Sequence, residues 1–271
     1  MKAIILAAGV GKRLGAAADG LPKCLIHIGG KSLLARHLEN FTSLGIRQVT
    51  IVVGYEQETI RQTVDALDFP GTVHFVVNPQ YTRGSITSFW EARHAIDDDV
   101  VIMDADVLYH PAILRRLVES SYPNALLVDE TVTQETEECM VAIQGNRVIK
   151  LSKQLPPAYD FAGEGVGFLK VSKSCKDTLV GSIHRSILAE RLDSEYEDGL
   201  QDFFNNVQVG FERIGGLPWV EIDFPADVQR AEQEVLPEIL GVGSIPALQP
   251  KSKSKSKNDE QDSVEQPIEV S

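Results

Sequence analysis

The sequence predicts an α/β fold: a parallel sheet with helices on both faces. Three observations carry that prediction. Short apolar runs rich in β-branched residues alternate with stretches of helical periodicity, which is the pattern of β-α-β units. The runs are apolar almost throughout rather than at every second position, as strands buried on both faces must be. The chain of 271 residues, 43% of them hydrophobic, is long enough to fill such a core. Sheets of this kind bind ligands at the carboxyl ends of their strands.

The elements follow in order. Strands are expected at residues 3–7, 49–53, 72–77, 100–103 and 125–128. Ser32 can cap a helix whose Leu34, Leu38 and Phe41 share one face, and Gly45 stops it. Helices over 56–67 and 85–96 follow. Pro111, at a first-turn position, opens a helix over 112–120, with His110 as its cap. After about Glu130 the rhythm changes. "ECMVAI" and "RVIKL" flank Gly145-Asn146 and read as a hairpin. "GVGFLKV" gives a further strand, helical stretches cover 186–192 and 195–206, and a last helix starts near Pro225. Residues 1–240 thus form one expected domain. Residues 241–271, lysine-serine alternation without an aromatic, cannot bury enough apolar area to fold and are expected to be a disordered tail.

Charge and composition exclude some functions. A net charge of −13 argues against a nucleic-acid binder, which needs a basic face. It leaves a nucleotide enzyme open, because a metal can bridge acid to phosphate. No run approaches the roughly 20 apolar residues of a membrane span, so no membrane partner is expected. "MKAIILAA" is too short for a secretory signal and leads into bases where a cleavage region should stand. Cys24, Cys139 and Cys175 have no metal or redox spacing, consistent with idle thiols in the cytoplasm.

The chemistry concentrates in "AAGVGKRLGAAADGLPKCL", after the first strand. A P-loop ending at "GGKS" (29–32) fails, because residue 25 is Leu25 where the pattern needs glycine. A dinucleotide loop fails as well: Gly9 and Gly11 fit, but Leu14 stands at the third glycine position and Gly15 comes one late. Small residues at Ala7, Ala8 and Gly9 let the backbone approach a base and ribose, and its N–H groups can donate to phosphate. Arg13 and Lys23 can supply charge to a triphosphate.

"LAAGVGKRLG…LPKCLIHIGGKSLL" resembles the signature of nucleotidyltransferases that couple NTPs to phosphorylated small molecules. The resemblance implies a Rossmann-like nucleotidyltransferase fold, a mostly parallel mixed sheet with helices on both faces, and Mg²⁺ as cofactor. It implies a nucleotide site at Leu6, Ala7, Ala8, Gly9 and Gly11, with Arg13 and Lys23 catalytic on the triphosphate. "VVIMDADVLY" ends a strand in Asp104-Ala105-Asp106, and "PWVEIDFPADV" sets Glu221 and Asp223 on one side of an extended segment. Matching by residue gives Asp106 and Asp223 as metal ligands. Asp104 falls to the nucleotide side or to a plain strand end, and Asp223 can also cap the helix at Pro225. The K-x-x-K pattern in "KLSK" selects Lys153 for the acceptor phosphate.

Within that family, "GSITSFWEARHAI", "EECMVAI", "GEGVGF", "YEDGL" and "WVEID" are similar to the cytidylyltransferases acting on phosphocholine, 2-aminoethylphosphonate and inositol phosphate. This implies CTP and a small phosphorylated or phosphonylated acceptor as partners, and allows a homodimer. Gly84-Ser85 departs from the Asn-Asn of phosphocholine-directed relatives. Ser88 is placed near the nucleotide, or bonds back within its helix. Glu138, Glu164, Glu197 and Glu221 would line the acceptor cleft, with Trp90, Tyr159, Phe161 and Trp219 as aromatic alternatives for a cationic acceptor. A sugar-1-phosphate nucleotidyltransferase and a nucleotide-sensing domain without turnover are the competing readings.

Overall fold

The computed structural model describes residues 1–18, 20–132, 134 and 138–241. Strand β1 (Lys2–Ala7) leads through two 3₁₀ segments (Lys12–Ala18 and Lys23–Leu25) to a minimal hairpin, β2 (His27–Ile28) and β3 (Lys31–Ser32). Then come α1 (Leu33–Ser43), β4 (Gln48–Val53), α2 (Gln57–Asp65), β5 (Thr72–Val77), α3 (Ser85–Ala92), β6 (Val100–Asp104), β7 (Val107–Tyr109), α4 (Pro111–Glu119) and β8 (Ala125–Asp129). The second half holds β9 (Met140–Gln144), β10 (Arg147–Ser152), β11 (Phe161–Val171), α5 (Lys176–Leu188), α6 (Tyr196–Gly199) and α7 (Gln201–Asn206). It closes with β12 (Gly210–Arg213), β13 (Trp219–Glu221), α8 (Pro225–Arg230), a π-helical turn and α9 (Leu236–Ile239).

The sheet is mixed. Strands β6, β1, β4 and β5 lie side by side and parallel. The long β11 runs antiparallel to β6 through Phe168–Val171 and to β9 through Phe161–Glu164. Its other edge takes β8, which carries β12 in parallel. Strand alternation sends residues to two cores. Ala3, Ile5 and Ala7 of β1, with Val49, Ile51, Val101 and Met103, pack under α1, α2 and α4. Ile4, Val52, Val100 and Ile102 face α3, α5, α6 and α7 instead. Both faces are apolar, so the continuous runs in the sequence follow from the two-sided cover.

Most expected elements stand where the sequence puts them. Ser32 Oγ accepts from the Ala35 N–H at 3.2 Å, and His110 Nδ1 accepts from the Ala112 N–H at 3.1 Å. Gly145-Asn146 turns the β9–β10 hairpin. The "GGKS" stretch is also a turn: Gly29 and Gly30, at φ of 59° and 79°, link β2 to β3. One helix is misplaced by the sequence. The stretch expected at 186–192 is the end of α5, which starts ten residues earlier at Lys176 because Leu179 and Ile183 already share its buried face. It stops at Leu188, before Glu190 turns to positive φ. The expected tail lies, from residue 242 onward, outside the described residues.

Candidate active site

A cleft of about 1400 Å³ opens at the carboxyl ends of β1 and β6, and the nucleotide-loop residues, the basic residues, Ser88 and the acids named from the sequence all line it. The loop after β1 forms one wall. Gly11 has φ of 65°, and a Cβ there would sit 2.9 Å from Lys23 Cγ. The second glycine of the GxG pattern therefore lets the lysine side chain lie across the loop. Nothing lies within 4 Å of a Cβ built on Gly9, so that position leaves the wall open to a close-packed ligand. Lys12, between Gly11 and Arg13, also lines the cleft.

The opposite wall brings three carboxylates together. β13 pairs antiparallel with β7, setting Glu221 opposite Val107, and the Ile222 N–H donates to the Asp106 carbonyl at 2.9 Å. Glu221 and Asp223, two apart on an extended segment, thus join Asp106, with ligand oxygens all within 4.8 Å of one another. Lys23 Nζ donates to Asp106 Oδ2 at 2.8 Å and also to Asp223 Oδ1. Arg13 pairs with the other Asp223 oxygen at 2.8 Å and stacks over the Phe224 ring. Burial works against the Lys23 ammonium, but Asp106 and Asp223 outweigh it and raise its pKa above the ordinary lysine value. Glu221 is packed deep among protein atoms yet keeps solvent contact, because it faces the open cleft. Desolvation, then Asp106 and Asp223, push its carboxyl up to about 8.

Asp223 does not cap the following helix. Its carboxylate is held by Lys23 and Arg13, and Asp227 Oδ2 accepts from the Asp223 and Phe224 N–H groups instead, at 2.9 and 2.7 Å. Asp104 lies at the inner end of the cleft, half-buried. Tyr196 Oη donates to its Oδ2 at 3.0 Å, while burial and the neighbouring Glu197 and Asp106 raise its pKa well above the carboxylate range. Gly167, at φ of 78°, is required beside it, since a Cβ there would meet Asp104 Oδ2 at 2.3 Å. Ser88 is buried and accepts from Asn78 Nδ2 at 2.9 Å, an arrangement that fixes the start of α3 at the cleft edge.

The part of the cleft lined by Glu138, Glu164 and Glu197 is acidic. Glu164 on β11 is pushed up to about 7, first by burial and then by Glu138 and Asp129. Glu197 reaches about 7 mainly through burial. Lys153 follows β10 on the same wall. Of the four aromatics weighed for a cationic acceptor, only Trp219 lines the cleft. Trp90 stacks on His184 with ring centroids 4.9 Å apart, and Phe161 packs against Phe211 at 5.3 Å, so both serve the fold. Tyr159 is exposed and away from the cleft.

Sequence reasoning missed two supporting residues. Asp129 ends β8 as Asp104 ends β6, and that repeated strand-end acid was a usable signal. It accepts from Trp219 Nε1 at 2.7 Å and from the Thr131 N–H at 2.9 Å, tying β13 to the sheet. His37, fully buried on α1, had no signal at all. Its Nε2 lies 3.1 Å from the Ala105 carbonyl, so that nitrogen carries the proton, and Nδ1 lies 3.3 Å from Tyr109 Oη.

Comparison with known proteins agrees with this architecture. Residues 3–204 match the MobA-like NTP transferase domain. Curated relatives include CMP-5'-(3-aminopropyl)phosphonate synthase of Streptomyces rubellomurinus, 34% identical over 46% of this chain and 20% of that one. The bifunctional IPC transferase and DIPP synthase of Rubrobacter xylanophilus is 29% identical over 86% of this chain and 52% of its own. The chain therefore spans a fifth to a half of the length of those two proteins. CTP:phosphoglutamine cytidylyltransferase of Campylobacter jejuni is 24% identical over 84% of this chain and 98% of its own. Among solved structures, the inositol-1-phosphate CTP transferase of T. maritima superposes with a TM-score of 0.69 at 21% identity, covering 86% of this chain and 97% of its own. The chain belongs to the MobA-like NTP transferase domain family. Among the described residues, no helix is long and apolar enough to cross a membrane.

Proposed function

We propose that this chain is a Mg²⁺-dependent cytidylyltransferase that couples CTP to a phosphorylated or phosphonylated amino alcohol, such as phosphocholine or 2-aminoethylphosphonate, and releases pyrophosphate. The observation that carries it is the convergence of Asp106, Glu221 and Asp223 on the cations Lys23 and Arg13, beside the glycine loop. Relatives named for cytidylyl transfer or for CMP-phosphonate synthesis support the nucleotide and the acceptor class.

Three carboxylates offering only oxygen suit a hard cation such as Mg²⁺. Asp106 and Asp223 would hold it, with Glu221 beside them. When bound, it supplies charge neutralisation at the α-phosphate. The rest is done by the chain. An acceptor oxygen forms a bond to the α-phosphorus while the bond to the β-phosphate oxygen breaks, and pyrophosphate leaves with the electron pair. Arg13 and Lys23 stabilise the negative charge that moves onto the leaving group. The backbone from Leu6 to Gly11 holds the nucleoside, and Lys153 orients the acceptor phosphate. No general base is required, because the acceptor is already an anion. The catalytic domain is residues 1–240, and the enzyme acts in the cytoplasm.

Pyrophosphate release tests this, with four NTPs crossed against phosphocholine, 2-aminoethylphosphonate, inositol-1-phosphate and glucose-1-phosphate in Mg²⁺. The proposal requires signal with CTP and an amine-bearing acceptor. Turnover confined to a sugar phosphate with another NTP overturns it.

A further inference from the structure

A smaller cavity of about 50 Å³ adjoins the cleft at its inner end. Asp104, Cys139, Tyr196, Glu197 and Glu221 line both spaces, so one opens onto the other. Leu126, Leu151 and Val166 form its apolar back. Glu197 lines this cavity, and its Oε2 has less than 1 Å² exposed and no hydrogen-bond donor among the described residues. Its neighbour Tyr196 cannot serve it, because the phenol already donates to Asp104. A buried carboxylate oxygen left without a donor is costly and demands an explanation. Lys153 lies within electrostatic range of Glu197. The inner cleft thus brings a lysine near a buried carboxyl oxygen without a donor, a pattern complementary to a small zwitterion.

We infer that Glu197 and this side cavity seat a primary ammonium group, so that the acceptor is a phosphorylated or phosphonylated primary amine and not a quaternary one. The inference rests on the cytidylyltransferase reading above and narrows its acceptor. Two physical arguments separate the amines. Glu197 Oε2 lacks a donor, which a primary ammonium supplies and a trimethylammonium does not. A water-sized group needs roughly 10–15 Å³, so the cavity takes about three or four such groups. An ammonium with its methylene needs two of those places, whereas a nitrogen wrapped in three methyls needs four, the whole of that room. Quaternary ammonium sites also use aromatic cages. Here the lining aromatics are Tyr196, whose hydroxyl is engaged, and Phe168.

The test compares kcat/KM of the full chain, with CTP and Mg²⁺, for 2-aminoethylphosphonate, phosphoethanolamine, phosphocholine and the amine-free ethylphosphonate. Wild type and Glu197→Gln are measured side by side, with thermal melts to establish folding and Glu197→Asp as the second variant. Calorimetric titration of 2-aminoethylphosphonate gives a binding readout independent of turnover. The primary amines should exceed phosphocholine at least tenfold. Glu197→Gln should cut their advantage over ethylphosphonate at least tenfold, chiefly through KM and with a matching loss in calorimetric affinity. Glu197→Asp should restore part of it. Phosphocholine turned over as well as the primary amines, or a Glu197→Gln effect equal for all four acceptors, overturns the inference and leaves cytidylyl transfer standing. Absence of CTP-dependent turnover with every acceptor removes the parent reading, and this inference with it.

Discussion

Lys23 Nζ stands 2.8 Å from Asp106 Oδ2, joining the loop after β1 to the end of β6 across 83 residues of sequence. Both side chains are mostly buried, and the same ammonium also holds Asp223. The pairing sets the electrostatic state of the centre: a lysine stabilises carboxylates that would otherwise repel one another. Lys23→Met should therefore destabilise the protein by about 3–5 kcal/mol, the range for breaking a buried pair. Mg²⁺ should restore part of the loss, because it replaces the missing positive charge. Thermal melts with and without Mg²⁺ measure both quantities, and kcat/KM should fall at least 100-fold in the same variant.

Asp106→Asn removes one charge and keeps the shape. The fold should survive, since the Ile222 N–H bonds to the Asp106 backbone carbonyl rather than to the side chain. Turnover should fall by at least about 100-fold if this carboxylate holds the proposed metal. Near-normal kcat would remove Asp106 from the metal site.

His37 gives a stability prediction with a definite sign. Burial pushes its pKa down to about 4, so as pH falls the unfolded chain takes up the proton first, near its ordinary 6.5. The unfolded state then binds more protons than the folded one, and stability drops as pH falls between about 6.5 and 4. From pH 7 to 5 this residue alone should cost about 2 kcal/mol. In His37→Phe the contribution vanishes, so denaturant melts should show the gap between variant and wild type narrowing by that amount.

Gly84 marks the departure from the Asn-Asn of phosphocholine-directed relatives, and the structure supplies a reason. A Cβ there would lie 2.0 Å from the Ser194 carbonyl, while Ser85 Oγ donates to Glu195 Oε2 at 2.6 Å and accepts from the Tyr196 N–H at 2.8 Å. The segment leading to Tyr196 and Glu197 is thus clamped against the start of α3. Gly84→Asn should force this contact apart, costing about 1–3 kcal/mol, and should raise the acceptor KM more than the CTP KM.

Much of this was legible in the chain. The central strands announced themselves because burial on both faces demands unbroken apolar runs. The glycine loop was legible because close backbone approach excludes side chains, as Gly11 under Lys23 shows. Asp106 and Asp223 could be found as strand-end and extended-segment acids. Glu221 was read only as an acceptor residue: its place beside them depends on β13 pairing with β7, a contact across more than 100 residues that local pattern does not encode. The start of α5 was lost because Gly181, Ser182 and Ser186 interrupt its apolar stripe, although both serines are buried. His37 was illegible for a different reason: a histidine on an apolar helix face looks like core until the turn it supports is known.

The most direct measurement is single-turnover transfer of label from CTP carrying ³²P at the α-position, with enzyme in excess and 2-aminoethylphosphonate as acceptor. With Mg²⁺ the label should pass to a CMP adduct as unlabelled pyrophosphate is released, and neither EDTA-treated enzyme nor Asp106→Asn should transfer it. Equal transfer by Asp106→Asn, or label that stays in CTP while another NTP reacts, would contradict the account.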